Sequence, residues 1–212
     1  MIIHDVEQGT EPWHTLRAGI PTASEFSKLI TSKGAESSSL LPYARRLAAD
    51  KWYGVCVDGF SGNKFTKRGS EVEDEACADY EMRHQVAVKH VGLITNNIMT
   101  QGCSPDGLIE EDPEGKGGLE IKCKIAEHHL EACEHVYNTG TAPIEYVAQP
   151  QGCMLITGRK WWDLKFYHPN LPGIELRMYP DKDFHKVLRK QLKTVIRERD
   201  EYIKFIKILE EL

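Results

Sequence analysis

The stretch that decides the fold reads Cys103-Ser-Pro-Asp-Gly-Leu108, then a turn-rich segment, then Leu119-Glu-Ile-Lys-Cys123. Two short, mostly apolar runs, at residues 107–111 and 119–124, flank the segment Asp112-Pro-Glu-Gly-Lys-Gly-Gly118. Proline, aspartate and glycine are residues that favour tight turns. Two short apolar runs joined by such a segment predict a β-hairpin.

The second strand of this hairpin carries two charged residues in an otherwise apolar run. Side chains alternate between the two faces of a strand, so Glu120 and Lys122 share one face while Ile121 points to the other, into a core. A lone Glu-x-Lys pattern is typical of a solvated strand face. Here its apolar neighbours and the Pro-Asp of the partner strand favour a site instead.

A turn centred near Pro113 sets Asp106 opposite Glu120, with their Cβ atoms about 4.5–5.5 Å apart. Two carboxylates this close repel each other unless a cation lies between them. Oxygen ligands without a histidine or cysteine partner favour Mg²⁺, with Mn²⁺ as a substitute, and the backbone carbonyl of Ile121 is a further candidate ligand. Lys122 would then lie beside the cation, where it orients an attacking water and offsets charge on a phosphate.

The rest of the chain predicts an α/β or α+β fold with a central mixed sheet flanked by helices. Thr22 and Glu25 form a capping-box pattern, which predicts that a helix starts there. Pro150 is expected to kink or displace one helix. The predicted helices are 41–53, 70–84, 126–137, 144–156 and 181–212, and the predicted strands are 86–94, 98–103, 107–111, 119–124, 161–167 and 174–178.

Composition limits the functional classes. The 212 residues include 27 lysines and arginines against 32 aspartates and glutamates, a formal net charge of -5, so any contact with nucleic acid must be local or metal-bridged. We expect one domain over residues 1–212. No signal peptide or membrane-length apolar run is evident, which predicts a cytoplasmic protein that does not bind membranes.

Pro105-Asp106 with Glu120-x-Lys122 resembles the motif of the PD-(D/E)XK nucleases, whose core is restriction-endonuclease-like. The resemblance extends to the lambda-type phage alkaline exonucleases. The segments that carry it are Trp13-His-Thr-Leu-Arg17, Thr22-Ala-Ser-Glu25, Cys103 to Leu108, Leu119 to Cys123 and Tyr146-x-Ala-Gln149-x-Gln151, in the order of that family.

The resemblance implies a metal-dependent exonuclease that enters at duplex DNA ends and degrades one strand from 5′ to 3′, leaving 3′ single-stranded tails for phage recombination. It also implies a homotrimeric ring, a single-strand annealing protein as partner, and a phage or prophage gene in a bacterial host.

The resemblance further assigns residues. Glu73 matches the helix-borne acid that holds water or the metal ion at the catalytic site. Arg17 and Ser24, at a predicted helix start that favours anions, join Ser104 and Gln149 in a pocket for the 5′-terminal phosphate. Lys64, Lys67 and Arg68 are candidates for phosphate contacts, and Phe65 for a wedge between terminal bases, although a solvated face and a core residue explain them as well.

Two other functions stay open. An endonuclease of restriction or resolvase type would use the same chemistry. A catalytically silent protein that binds DNA ends is the third candidate, and the complete set of Asp106, Glu120 and Lys122 argues against it.

Overall fold

A computed structural model describes residues 1–31, 34–56 and 64–212, without the side chains of residues 64–71. The contacts expected of Lys64, Phe65, Lys67 and Arg68 therefore lie outside the described residues. The helices are α1 (Glu11–Arg17), α2 (Leu40–Tyr53), α3 (Lys64–His84), α4 (Ala126–Thr139), α5 (Ala148–Thr157) and α6 (Lys182–Glu210), with short 3-10 helices at Ala23–Lys28 and Ile144–Tyr146.

The strands form two sheets. Strands β1 (Ile2–His4), β3 (Leu93–Thr95) and β4 (Gly102–Cys103) make a small antiparallel sheet in the order β1-β3-β4. The larger sheet has the order β2-β5-β6-β7-β8 and contains β2 (Val88–Lys89), β5 (Gly107–Ile109), β6 (Gly117–Cys123), β7 (Trp161–His168) and β8 (Leu171–Met178). In the larger sheet, β6 and β7 pair in parallel, and α4 and α5 lie in the connection between them.

Helices cover both faces of the larger sheet, which confirms the predicted α/β class. Ala76 and Tyr80 of α3 pack with Leu119 and Ile121 of β6 on one face. On the other face, Trp162 of β7 belongs to a larger cluster that includes residues of α2, α5 and α6. The alternation of β6 therefore leaves Glu120 and Lys122 on the α5 side, as the sequence predicts.

Gly117 and Gly118 were expected in the hairpin turn, and the structure places them inside β6 instead. A Cβ atom on Gly117 would lie 2.1 Å from the ring of Trp161, and one on Gly118 would lie 2.4 Å from that of Trp162. Both indole side chains are completely buried. The two glycines thus let one large ring pack on each face of the sheet.

The predicted strand over residues 86–94 is wrong as a single element, because β2 and β3 belong to different sheets. The N-terminal segment passes over the break, where a Cβ on Gly92 would lie 1.7 Å from the Val6 carbonyl oxygen. The predicted strand over 98–103 is reduced to β4, since Asn96 caps a turn through its side-chain bonds to Thr100. The sequence analysis also missed β1 and α1.

Pro150 displaces the predicted helix over 144–156, as expected. The segment divides into a 3-10 turn and α5, and Pro150 lies in the first turn of α5. Prolines are tolerated there because the first N–H groups of a helix have no partner within the helix. Among the described helices, none combines the length and apolar character needed to cross a membrane.

Glu110 forms ion pairs with Arg159 and Lys116, which lower its pKa to about 2. Since the folded pKa lies below the ordinary value of 4.5, this stabilisation is present above pH 4.5 and is lost as the pH falls toward 2. We expect the free energy of unfolding to fall by about 1 kcal/mol or less over this range, because Glu110 is partly exposed and solvent screens it.

Urea unfolding between pH 5 and 2 measures this effect. Glu110→Gln should remove that part of the pH dependence. Glu111→Gln changes an exposed neighbouring carboxylate and should leave it in place. An unchanged pH profile in Glu110→Gln would show that the ion pairs do not contribute.

Candidate active site

The hairpin brings Asp106 and Glu120 together where β5 and β6 lie farthest from the hairpin turn, and this part of the larger sheet is called its site edge below. Gly107 of β5 pairs with Leu119 of β6, so one step further along both strands sets Asp106 opposite Glu120. This is the register that a turn centred near Pro113 predicts. The carboxylate of Asp106 also accepts a hydrogen bond from the Ile121 N–H at 2.6 Å, which fixes its position beside β6.

Lys122 lies on the same face as Glu120 and connects the strand to α5. Its Nζ donates to Glu120 Oε1 at 2.7 Å and to Gln149 Oε1 at 3.0 Å. Lys122 retains 18% side-chain exposure, whereas Glu120 retains only 3%. The ammonium group is therefore held by two oxygen acceptors and still reaches solvent at the site edge.

Burial and neighbouring charge raise the free energy of the charged form of Glu120. Desolvation, together with the charge of Asp106, raises the pKa of Glu120 to about 8. Desolvation also raises the pKa of Asp106, although the hydrogen bond from Ile121 opposes the shift. Burial alone would lower the pKa of Lys122, but the charges of Glu120 and Asp106 outweigh that effect and raise it.

Glu73 approaches the site edge from α3. It lines a cavity of about 540 Å³ with Asp106, Ile121 and His90. Desolvation in this cleft, and the charge of Asp106, raise the pKa of Glu73 to about 7. Glu73, the acid that the family motif assigned, is thus electrostatically coupled to Asp106.

Buried polar contacts hold α3 against the sheet and so position Glu73. Tyr80 donates its hydroxyl proton to Asp163 at 2.6 Å, and Lys165 donates to Asp79 at 2.6 Å. Lys165 is 3% exposed and also bonds Glu175 at 2.6 Å, so its charge is paired twice. Such a network fixes the position of α3 because breaking either contact removes one partner from a buried charged group.

Arg17 and Ser24 come together, as the proposed phosphate pocket requires. Arg17 Nη2 donates to Thr22 Oγ1 at 3.0 Å and to Ser24 Oγ at 3.5 Å. The expected capping box is wrong: Thr22 makes no side-chain cap, and Glu25 pairs with Lys28 and Arg46. The helix is a short 3-10 segment, so a bound anion would depend on side-chain donors rather than on a helix dipole.

Ser104 and Gln149 have different surroundings. Ser104 Oγ accepts a hydrogen bond from the indole N–H of Trp13 at 3.0 Å, and the ring of Trp13 lies under Arg17. Gln149 contacts Lys122, the lysine that the sequence motif assigns to the site. The assignment of these four residues to a phosphate remains a prediction.

Sequence reasoning gave no role to Gln8, Trp13 or His90. Gln8 donates to the Pro105 carbonyl at 3.0 Å and to the Val91 carbonyl at 3.2 Å. These bonds connect the N-terminal segment to the residue directly before Asp106. His90 lines the cleft beside Asp106. Trp13 belongs to the family motif from Trp13 to Arg17, so its place in the sequence could have predicted a role at the site. No sequence pattern around Gln8 or His90 indicates such a role.

The donors at the site edge fit a hard divalent cation. Glu120 Oε2 is buried and has no hydrogen-bond partner, although it belongs to a carboxylate. Asp106 lies opposite it, and the Ile121 carbonyl is adjacent in the chain. Within the described residues, no group of three histidine, cysteine, aspartate or glutamate side chains gathers around one point. The protein thus offers two carboxylates and a carbonyl, which suits an ion that keeps water or substrate ligands, such as Mg²⁺.

Comparison with solved structures identifies proteins with a similar fold. An alkaline exonuclease (LHK-Exo) from Laribacter hongkongensis is 28% identical, with a TM-score of 0.79 over 95% of this chain and 98% of that one. The same protein solved in complex with dAMP gives the same values. A phage related exonuclease from Haemophilus somnus 129PT is 17% identical, with a TM-score of 0.66 over 88% of this chain and 96% of that one, and shares the fold.

A search of curated proteins finds no match. The model of the YqaJ-like viral recombinase domain matches residues 12–160, which include every residue proposed above for the site. The chain therefore belongs to the YqaJ-like viral recombinase family.

Proposed function

We propose that this protein is a metal-dependent exonuclease that degrades double-stranded DNA from 5′ to 3′ and leaves 3′ single-stranded tails for phage homologous recombination. The observation that carries the proposal is the group formed by Asp106, Glu120 and Lys122 at the site edge, with a buried Glu120 oxygen that lacks a partner. The family membership and the similarity to an alkaline exonuclease of known structure support it.

Asp106, Glu120 and the Ile121 carbonyl would hold the cation, with Glu73 at the edge of the cleft. A bound Mg²⁺ or Mn²⁺ supplies Lewis acidity toward the scissile phosphate and favours a water nucleophile. Lys122 orients the attacking water and offsets negative charge that develops on the phosphate. Gln149 accepts a hydrogen bond from Lys122 and so limits where the ammonium group lies.

The proposed 5′ polarity depends on Arg17, Ser24, Ser104 and Gln149. A guanidinium with neutral donors around it suits a terminal phosphate, which carries more charge than an internal diester. A 5′-terminal phosphate held by these residues would place the next phosphodiester bond of the same DNA strand beside Lys122. The homotrimeric ring and the single-strand annealing partner are further parts of the proposal, and both depend on the family resemblance.

Linear and covalently closed circular duplexes, labelled at either end where an end exists, test the reaction with and without Mg²⁺. With Mg²⁺, we expect a label at the 5′ end of linear DNA to be released as nucleotide. A label at the 3′ end should remain on a single strand, and closed circles should stay intact. Cleavage of closed circles would favour the endonuclease. Binding of ends without nucleotide release would favour the silent end-binding protein.

A further inference from the structure

Trp13 touches two of the residues assigned to the phosphate pocket. Its indole N–H is shared between the Gly92 carbonyl at 2.9 Å and Ser104 Oγ at 3.0 Å. Arg17 Cζ lies 3.8 Å from the centroid of its ring, within the range of a cation–π contact. One side chain therefore contacts Arg17 with its face and Ser104 with its edge.

These contacts matter because α1 is weakly anchored by apolar packing. The helix has only 7 residues, and none of them is fully buried. A helix of this length is marginal by itself. The bonds of Trp13 join it to segments 79 and 91 residues further along the chain, at Gly92 and Ser104. They fix Arg17 relative to Ser104, although the two residues lie in different elements.

The contacts also leave donors available for an anion. Because the indole N–H donates to Ser104, the serine hydroxyl acts as the acceptor of that bond, and its own proton is free to be donated. Arg17 Nε is buried and has no hydrogen-bond partner. Stacking on an aromatic face holds the guanidinium plane while its N–H groups remain in that plane for a phosphate oxygen.

We propose that Trp13 is a positioning residue that sets the preference of the enzyme for 5′-phosphorylated ends, by orienting Arg17 and Ser104 toward one terminal phosphate. The proposal rests on the proposed function, because it needs the phosphate pocket to exist. It concerns selectivity between ends rather than hydrolysis itself. Its readout is the ratio of kcat/KM for 5′-phosphoryl duplex to kcat/KM for 5′-hydroxyl duplex.

Trp13→Phe keeps the stacked ring and removes the N–H, whereas Trp13→Leu removes both contacts. We expect Trp13→Phe to lower the ratio about tenfold, the size of one hydrogen bond, and Trp13→Leu to lower it further. The loss should appear on phosphorylated ends, so the hydroxyl substrate reports on folding in the same preparation. Trp52→Phe, at the partly exposed end of α2, is the matched control and should keep the wild-type ratio.

A double-mutant cycle separates positioning from general damage. If Trp13 acts through Ser104, the effects of Trp13→Phe and Ser104→Ala on the ratio should be non-additive, and the double variant should resemble Ser104→Ala. The cycle uses only Trp13→Phe and Ser104→Ala, so it still tests the proposal if Trp13→Leu fails to fold.

Each other outcome overturns the proposal in a different way. An unchanged ratio in Trp13→Phe removes Trp13 from selectivity, and equal losses on both substrates assign it to folding only. A wild-type enzyme that digests both ends equally removes the pocket itself, and this inference with it, while nuclease activity stands. Absence of nucleotide release from either substrate contradicts the proposed function instead.

Discussion

Lys122→Ala should lower the rate of duplex hydrolysis by about 10²–10³-fold, the loss typical when one electrostatic contributor to a transition state is removed. The ammonium group lies 2.7 Å from Glu120 and 3.0 Å from Gln149, so its position is fixed before substrate binds. Alanine supplies no charge to offset that of the phosphate and no donor to orient water. Initial rates on linear duplex at saturating Mg²⁺ measure the effect.

Lys124→Ala is the matched control for this variant. Lys124 lies two residues later, directly after the end of β6, and it is exposed. Its removal deletes the same charge from the same region of the surface, so activity should stay within about twofold of wild type if general attraction of DNA is not the cause. Full activity in purified, folded Lys122→Ala would remove Lys122 from the mechanism.

Glu120→Gln should lower activity by at least about 10²-fold and should also change how stability depends on pH. The pKa of Glu120 is about 8 in the folded protein against an ordinary value of 4.5. An acid with a raised folded pKa contributes most below its unfolded pKa, so the metal-free wild type loses stability as the pH rises from about 4.5 through 8. Glutamine does not titrate, and this slope should flatten.

Mg²⁺ provides the second readout of the same variant. A cation that binds only the folded state stabilises it by mass action. Wild-type protein at pH 9, where Glu120 is charged, should therefore gain several degrees in Tm on addition of Mg²⁺, with a smaller gain at pH 6. Glu120→Gln should show little gain at either pH.

Glu127→Gln serves as the control for the loss of one carboxylate, since Glu127 is exposed in the first turn of α4. It should keep both the activity and the Mg²⁺-dependent gain in Tm. A gain that persists in Glu120→Gln would show that the cation binds elsewhere, and unchanged hydrolysis would show that Glu120 is not a ligand.

The amino-acid sequence was sufficient where the information is local. Alternation along β6 placed Ile121 in the core and Glu120 with Lys122 on the opposite face, because successive strand residues point to opposite sides of a sheet. A turn centred near Pro113, midway between Asp106 and Glu120, predicted that these two residues lie opposite each other, because a hairpin turn fixes which residues pair. Pro150 likewise marked where α5 begins.

Contacts between distant segments were decided by the tertiary structure alone. The capping box at Thr22 failed because Arg17 and Arg46, from other helices, take the side chains that the local pattern assigned to the backbone. The two glycines before Leu119 looked like turn residues, yet they are strand residues that accommodate Trp161 and Trp162.

By itself, the sequence determined the class of fold, the hairpin with its facing carboxylates, and the lysine beside them. The family resemblance assigned Glu73 and Gln149 to the site, but their contacts came only from the tertiary structure. It placed Gln149 against Lys122, Glu73 in the cleft with Asp106, and Trp13 between Arg17 and Ser104. The physical reason is that periodicity and turn geometry act over a few residues, whereas these contacts join residues far apart in the chain. Such contacts form only when packing of the whole core brings their segments together.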